Sequence, residues 1–222
     1  MARPKSDDKR KAILEAALRI FAERGVGHAP TSAISKEAGV AEGSLFTYFS
    51  TKDELLNELY LELRQEFSRY LTDFPHDSDP ETRLKYIWDK YLELGAAHPE
   101  RLKVLAQLRA SGRLFKETEA PAFAILEVMR ATSEATRGKE LHKAPPEYLV
   151  LMVRAAAEVT VEFINAYPES APVSGRLGFK MLWQGLTGAS TVIRKTEAGH
   201  SIHKQKRVRR YDNKESARHI DE

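Results

Sequence analysis

The sequence has no cysteine among its 222 residues. Disulfides and thiolate-held metals are therefore excluded, and a reducing compartment suits the chain. No apolar run approaches the roughly 18 to 20 residues that a membrane span needs, so no membrane partner is expected. The N-terminal MARPKSDDKRK is charged but has no apolar stretch of signal-peptide type behind it. Together these absences predict a soluble, cytoplasmic protein. Catalytic signatures are missing as well. There are no paired catalytic carboxylates, no H-E-x-x-H, no P-loop and no dinucleotide fingerprint. His200, His203 and His219 lack partners at metal-ligand spacing. The chain is not expected to be an enzyme or to hold a cofactor or metal. Strand-like alternation bounded by hairpin turns is absent too, which leaves an all-α fold.

What is present has an ordinary globular balance, with 42% hydrophobic and 30% charged residues. The net charge of +3 argues little, but its distribution argues more. Residues 1–52 carry nine Lys/Arg against six Asp/Glu, residues 53–193 seventeen against twenty-one, and residues 194–222 nine against five. Basic ends flank an acidic middle, so anion-binding termini are expected around a body that needs no nucleic acid.

The most informative stretch is Thr31 to Lys52, TSAISKEAGVAEGSLFTYFSTK. Ile34 and Ala38 share one helical face. Gly39 supplies a sharp turn, and Val40 plugs the angle. A second short helix from about Ala41 buries Leu45 and Phe49. Glu42, Gly43, Ser44, Phe46, Thr47 and Tyr48 are left on a wide uncommitted face. Helix, glycine turn, short helix is the order of a helix-turn-helix, whose second helix enters a DNA major groove. Ile13, Ala16, Ala17, Ile20 and Phe21 form a buried stripe on a preceding helix that ends at Gly25 and Gly27. That helix completes a three-helix core. Thr31 or Ser32 is expected to cap the second helix. Thr51 and Glu54 have capping-box spacing at the head of a long helix carrying Leu55, Leu56, Leu59, Leu63 and Phe67. Lys52 sits in that helix's first turn, where a cation opposes the macrodipole. Either it is a tolerated solvated lysine or it marks an external phosphate; the neighbouring residues favour the phosphate. Arg3 and Lys5 form a basic arm.

From Glu81 to about Ile193 the pattern is helical, with breaks at His98-Pro99, Gly112, Pro121, Gly138, Pro145-Pro146, Pro168 and Pro172. The segment from Pro146 to Ala166 is apolar almost all round. It must be buried on more than one side, in a core or against another subunit. The last helix is expected over about Ser174 to Ile193. The tail from Lys195 holds Lys206-Arg207-Val208-Arg209-Arg210. It reads as a solvated flexible tail, with non-specific DNA contact as the other option.

The run ILEAALRIFAERG followed by TSAISKEAGVAEGSLFTYFSTKDELL resembles the N-terminal domain of the TetR family of bacterial transcriptional regulators. The likeness covers about residues 9–60. The resemblance implies an N-terminal three-helix helix-turn-helix DNA-binding domain and a larger C-terminal helical domain for ligand binding and dimerisation. The expected boundaries are 1–52, 53–194 and a basic flexible tail at 195–222. It also implies a homodimer and repression of a palindromic double-stranded DNA operator, relieved by an unknown, largely apolar small-molecule effector. The alternative is a helix-turn-helix regulator without such an effector, controlled by a protein partner or acting as an activator. Three positions depart from the family's commonest pattern: Ala41 in place of a capping serine, Ser35 in place of alanine, and Phe46 in place of tyrosine. The first costs about 1 kcal/mol of capping.

On this footing Gly43 permits close approach to DNA. Thr47 and Glu42 are candidate base readers on the face they share with Ser44. Glu42 either accepts from cytosine N4 or stabilises its helix N-terminus. Tyr48, Lys52, Thr31 and Ser32 are candidate phosphate contacts, which set register rather than sequence. Trp88, Tyr91, Phe123, Met129, Met152, Glu158 and Phe163 are candidate ligand contacts on converging helices. Glu158 interrupts an apolar segment and needs a partner such as Arg154 or a cationic ligand. The helices at 146–166 and 174–193 are the candidates for a dimer-forming four-helix bundle.

Overall fold

The structure is a computed structural model that describes residues 4–119, 123–137 and 143–188. The basic arm residue Arg3, the side chain of Lys5 and the tail from 189 onward lie outside the described residues. The described residues form helices and no strands: α1 (Pro4–Arg24), α2 (Thr31–Glu37), α3 (Glu42–Tyr48), α4 (Lys52–Arg69), α5 (Pro80–Ala97), α6 (Pro99–Ala110), α7 (Lys116–Glu119), α8 (Phe123–Ala135), α9 (Pro146–Ala166) and α10 (Ala171–Thr187). None of them is long and apolar enough to cross a membrane.

The helix ends follow local chemistry. Gly25 (φ 82°) and Gly39 (φ 65°) take left-handed conformations, which only glycine adopts without strain. They end α1 and turn α2 into α3. Thr51 caps α4, its Oγ1 accepting from the Glu54 N–H at 3.1 Å. The Glu54 carboxylate reaches back to the Ser50 N–H at 2.7 Å. The box therefore closes one residue earlier than the usual reciprocal pair. One expected cap is corrected: Pro30, not Thr31 or Ser32, precedes α2, with no side-chain cap. The Thr31 hydroxyl is drawn instead to Glu42. α10 ends at Thr187 with Gly188 left-handed behind it; the expected extension to Ile193 lies outside the described residues.

Two clusters hold the helices together. The first joins Ile13, Ala17, Phe21, Ile34, Leu45, Phe49, Leu55 and Leu59. It continues without a break into Leu102, Leu105 and Leu108 of α6. The α1 stripe is thus buried by α2 on one side and α6 on the other. Lys103 Nζ donates to the Ala22 carbonyl at 2.9 Å, and the Val26 N–H donates to Gln107 Oε1 at 3.2 Å. The second cluster gathers Leu84, Trp88, Met129, Leu149, Val153 and Phe179 from α5, α8, α9 and α10. Trp88 lies at its centre, with Nε1 donating to the Gly175 carbonyl at 3.0 Å. An apolar indole body and one satisfied N–H are what a buried tryptophan requires.

α9 is buried along Leu149, Val153, Ala157, Val161 and Ile164, while Tyr148, Met152, Val159 and Phe163 stay exposed. On α10, Val173, Leu177 and Met181 are exposed as well. Where α5 crosses α9, a Cβ on Gly95 would stand 2.5 Å from one Val161 methyl carbon and 2.8 Å from the other. Rotating the valine exchanges one clash for the other. Overpacking of this kind costs about 1 to 3 kcal/mol, against a helix-propensity gain of at most about 1 kcal/mol. Gly95→Ala is therefore expected to lower the free energy of unfolding by about 1 kcal/mol or more in a denaturant titration. A gain in stability would show that the α5–α9 crossing is looser than it looks.

Candidate nucleic-acid interface and ligand cavity

α3 is anchored chiefly by Leu45 and by Phe49 just past its end. Leu45 and Phe49 are buried at one helical turn's spacing, and Ser44 and Tyr48 are half-buried beside them. Glu42, Gly43, Phe46 and Thr47 are exposed. The Thr31 hydroxyl donates to Glu42 Oε1 at 3.0 Å, tying the start of α2 to the start of α3. Ser32 is exposed on the same first turn of α2. Thr47 Oγ1 donates back to the Gly43 carbonyl at 3.2 Å, so its proton is held within the helix. A Cβ added at Gly43 meets no atom of the protein within 4 Å. Packing inside the chain therefore gives no reason for glycine there, although glycine in a helix costs roughly 0.5 to 1 kcal/mol relative to alanine.

Lys52 has a role that its position in the first helical turn does not reveal. Its ammonium donates to the Ala29 carbonyl at 2.6 Å and the Val26 carbonyl at 3.1 Å. It bolts the loop before α2 to the head of α4. Two of the three ammonium protons are spent on this task. Partial burial lowers the Lys52 pKa from its ordinary value; Arg113 adds to this, and Asp53 opposes it. The lysine offsets an unfavourable dipole by satisfying carbonyls, an option that neither expectation for it contained.

The second site is a cavity of about 640 Å³ between α4, α5, α6, α8 and α9, within the range of ordinary small-molecule sites. Of the candidate ligand contacts, Trp88 and Tyr91 line it. Met129 is fully buried in the second cluster, and Met152 and Phe163 face outward from α9; none of the three is on the wall. The side chain of Phe123 lies outside the described residues. Glu158 stands just behind the wall, half-buried and paired with Arg109, with Arg154 Nε 3.9 Å from the same oxygen. Its main partner is thus on α6, forty-nine residues away, and helical spacing within α9 reveals only Arg154.

Arg64, Phe67, Leu105, Arg109 and Arg154 are on the wall as well. Spacing gives no sign of Arg64 and Arg109 in this role; Phe67 stands on the apolar stripe of α4, and Arg154 is the expected neighbour of Glu158. The one available signal was an arginine beside each buried stripe.

The Tyr91 hydroxyl is buried and its proton has no acceptor among the described residues. Burial pushes its pKa up to about 12, with the neighbouring Arg109 guanidinium opposing the rise. The phenol ionises near 10 in the unfolded chain and near 12 in the folded one. Its folded pKa is raised, so the stability it contributes is complete below pH 10 and is lost as pH climbs through 12. The span corresponds to roughly 3 kcal/mol. In alkaline unfolding series, Tyr91→Phe is expected to lose less stability than the parent between pH 10 and 12. Parallel curves would show that this phenol ionises like an exposed one.

These features define a class: an all-helical protein with a helix-turn-helix at its N-terminus and a cavity in its helical body. Residues 13–59 match the model of the bacterial regulatory proteins of the tetR family. Over those residues the chain is similar to the N-terminal part of that family's regulators. It is 31% identical over 97 residues to the fatty acid metabolism regulator protein of Bacillus subtilis, an alignment covering 43% of this chain and 50% of that protein. The chain spans about half the length of the first curated relatives it matches.

Two solved structures share the fold along most of the chain. A TetR family transcription regulator from Marinobacter aquaeolei VT8 superposes with a TM-score of 0.67 at 21% identity, covering 82% of this chain and 97% of that one. The regulator FadR from Bacillus subtilis, solved in complex with stearoyl-CoA, gives 0.56 at 17% identity, covering 79% and 98%.

Proposed function

We propose that the chain is a homodimeric repressor that binds a palindromic operator and is released from it by a largely apolar small molecule. In this reading residues 1–52 read DNA, residues 53–194 carry the cavity and the dimer face, and residues 195–222 are a basic tail. The protein works in the cytoplasm, where its operator is. The observation that carries the reading is the exposed apolar face of α9 and α10. Tyr148, Met152, Val159 and Phe163 fall on one side of α9, and Val173, Leu177 and Met181 on one side of α10. A regular stripe of this kind on two packed helices asks for a partner, and the same face of a second copy would make a four-helix bundle. Two reading helices about 34 Å apart then span one turn of DNA.

At the operator, Gly43 lets the α3 backbone approach the groove. Thr47, Ser44 and Glu42 face base edges. Tyr48, Thr31 and Ser32 hold phosphates, and the remaining proton of Lys52 serves a phosphate while the other two fix the loop. The cavity favours an effector-controlled regulator over one governed only by a protein partner. That FadR holds stearoyl-CoA is consistent with an apolar effector here.

Selection from a random duplex pool is expected to return a short inverted repeat; binding indifferent to sequence would sink the proposal. On the selected operator, Gly43→Val is expected to weaken binding at least tenfold without loss of thermal stability, because the new side chain meets DNA and not protein. Retained affinity would remove the close-approach role. Leu177→Glu combined with Met181→Glu is expected to give a monomer by light scattering. Operator affinity should then fall by about a hundredfold or more as the second half-site contact is lost. A dimer that survives both charges would place the interface elsewhere.

A further inference from the structure

The cavity is not uniformly apolar, and its charges do not balance. Three guanidiniums line it, those of Arg64, Arg109 and Arg154. Arg64 donates to the Thr118 carbonyl at 2.8 Å, a contact that does not neutralise it. Arg109 and Arg154 share one oxygen of one carboxylate, Glu158. Glu147, the carboxylate on the wall itself, is exposed in the first turn of α9. It lies seven residues before Arg154, about 10 Å along the helix. Among the described residues, one end of the cavity therefore holds two cations against a single anion, and the Arg109 side chain is only 14% exposed. Charge in such a place calls for a counter-charge with hydrogen-bond geometry.

A third donor points the same way. The Tyr91 hydroxyl is buried at this end beside Arg109, and its proton has no acceptor among the described residues. Away from this end, Ile87, Trp88, Ile125, Val150, Leu151 and Val153 make the wall apolar. A cationic ligand at this end would meet the guanidiniums, with Glu158 already engaged and Glu147 about 10 Å away along the helix. A neutral ligand would leave the phenol proton and the excess charge unanswered.

We propose that the ligand of this cavity is an anionic amphiphile. Its carboxylate or phosphate head sits among Arg109, Arg154 and Tyr91, and its apolar tail lies along α9 toward Leu151. The proposal rests on the reading that the cavity takes an effector, and it adds the effector's chemical class. The head group takes hydrogen bonds from Arg109 and Tyr91 and relieves Glu158 of serving two arginines alone.

The full-length protein is titrated calorimetrically with dodecanoate, dodecanoyl-CoA, dodecanol and dodecyltrimethylammonium, each below its micelle concentration, and operator affinity is measured alongside. At least one of the two anions is expected to bind tenfold or more tighter than dodecanol and the ammonium. Preference for dodecanoate identifies a terminal carboxylate as the head, and preference for the thioester identifies phosphate. Tyr91→Phe is expected to weaken the preferred anion several-fold and leave dodecanol unchanged. Arg109→Met with Glu158→Gln, which removes the pair together and strands neither charge, is expected to abolish the preference. Equal binding of dodecanol, tightest binding of the ammonium, or no binding of any of the four overturns the proposal. An anion that binds with the predicted preference while operator affinity stays constant overturns effector release and leaves the ligand class standing. Operator release by dodecanol alone does the reverse.

Discussion

The three N-terminal helices cannot bury their own apolar surface. A unit of about fifty residues has too little interior for that, and α1 carries apolar side chains around more of its circumference than α2 and α4 can cover. The remainder is covered by α6, through Leu102, Leu105 and Leu108. Lys103 on the Ala22 carbonyl and Gln107 on the Val26 N–H fix the register of that contact. Once α6 is required for the N-terminal core, α3 cannot be positioned independently of the body. The bond from Lys52 to the Val26 and Ala29 carbonyls completes the constraint, since it ties the loop next to α6 to the head of α4.

The same two helices bound the cavity. α4 turns Leu55, Leu56 and Leu59 to the N-terminal core and Arg64 and Phe67 to the cavity, and α6 turns Leu102 to one and Arg109 to the other. Leu105 belongs to both. Asn57 strengthens the link. It is buried, and its side chain donates to the Asp53 and Arg113 carbonyls and accepts from the Phe115 N–H. Through it the segment after α6 is fastened to α4. A displacement of α6 relative to α4 therefore meets satisfied buried polar groups at one end and packed leucines at the other. Such an arrangement favours discrete states over gradual bending.

Much of this was legible in the residues. The α1 stripe, the Gly39 turn, the Leu45 and Phe49 anchors and the α9 limits follow from periodicity and from glycine and proline chemistry, which act over a few residues. What failed was the identity of partners distant in the chain. Thr31 looked like a cap because it stands at a helix start, but Glu42, eleven residues on, offers its hydroxyl a charged acceptor. Lys52 looked misplaced because the carbonyls it serves belong to a loop more than twenty residues earlier. Met152 and Phe163 looked like pocket lining because size and polarisability do not say which face of an apolar helix is covered. Arg109 offered no more than an arginine beside a buried stripe, since its meaning depends on Glu158 and Tyr91 arriving from α9 and α5.

The proposed release of DNA places a lower bound on what the cavity must do. A hundredfold change in operator affinity requires a ligand to prefer the released geometry by about 2.7 kcal/mol. Apolar burial alone is a poor source of such a preference, because a greasy wall accommodates a tail in either geometry. A charge-assisted hydrogen bond is worth about 1.5 to 3 kcal/mol and is lost when its geometry is lost. Arg109 is the residue on α6 whose side chain enters the charged end of the cavity, while the opposite side of the same helix seats α1. A ligand head held by Arg109 and Tyr91 can meet the bound only if those two donors converge better in the released state. The charged end of the cavity, not its volume, is therefore where binding energy can be converted into a change at α3.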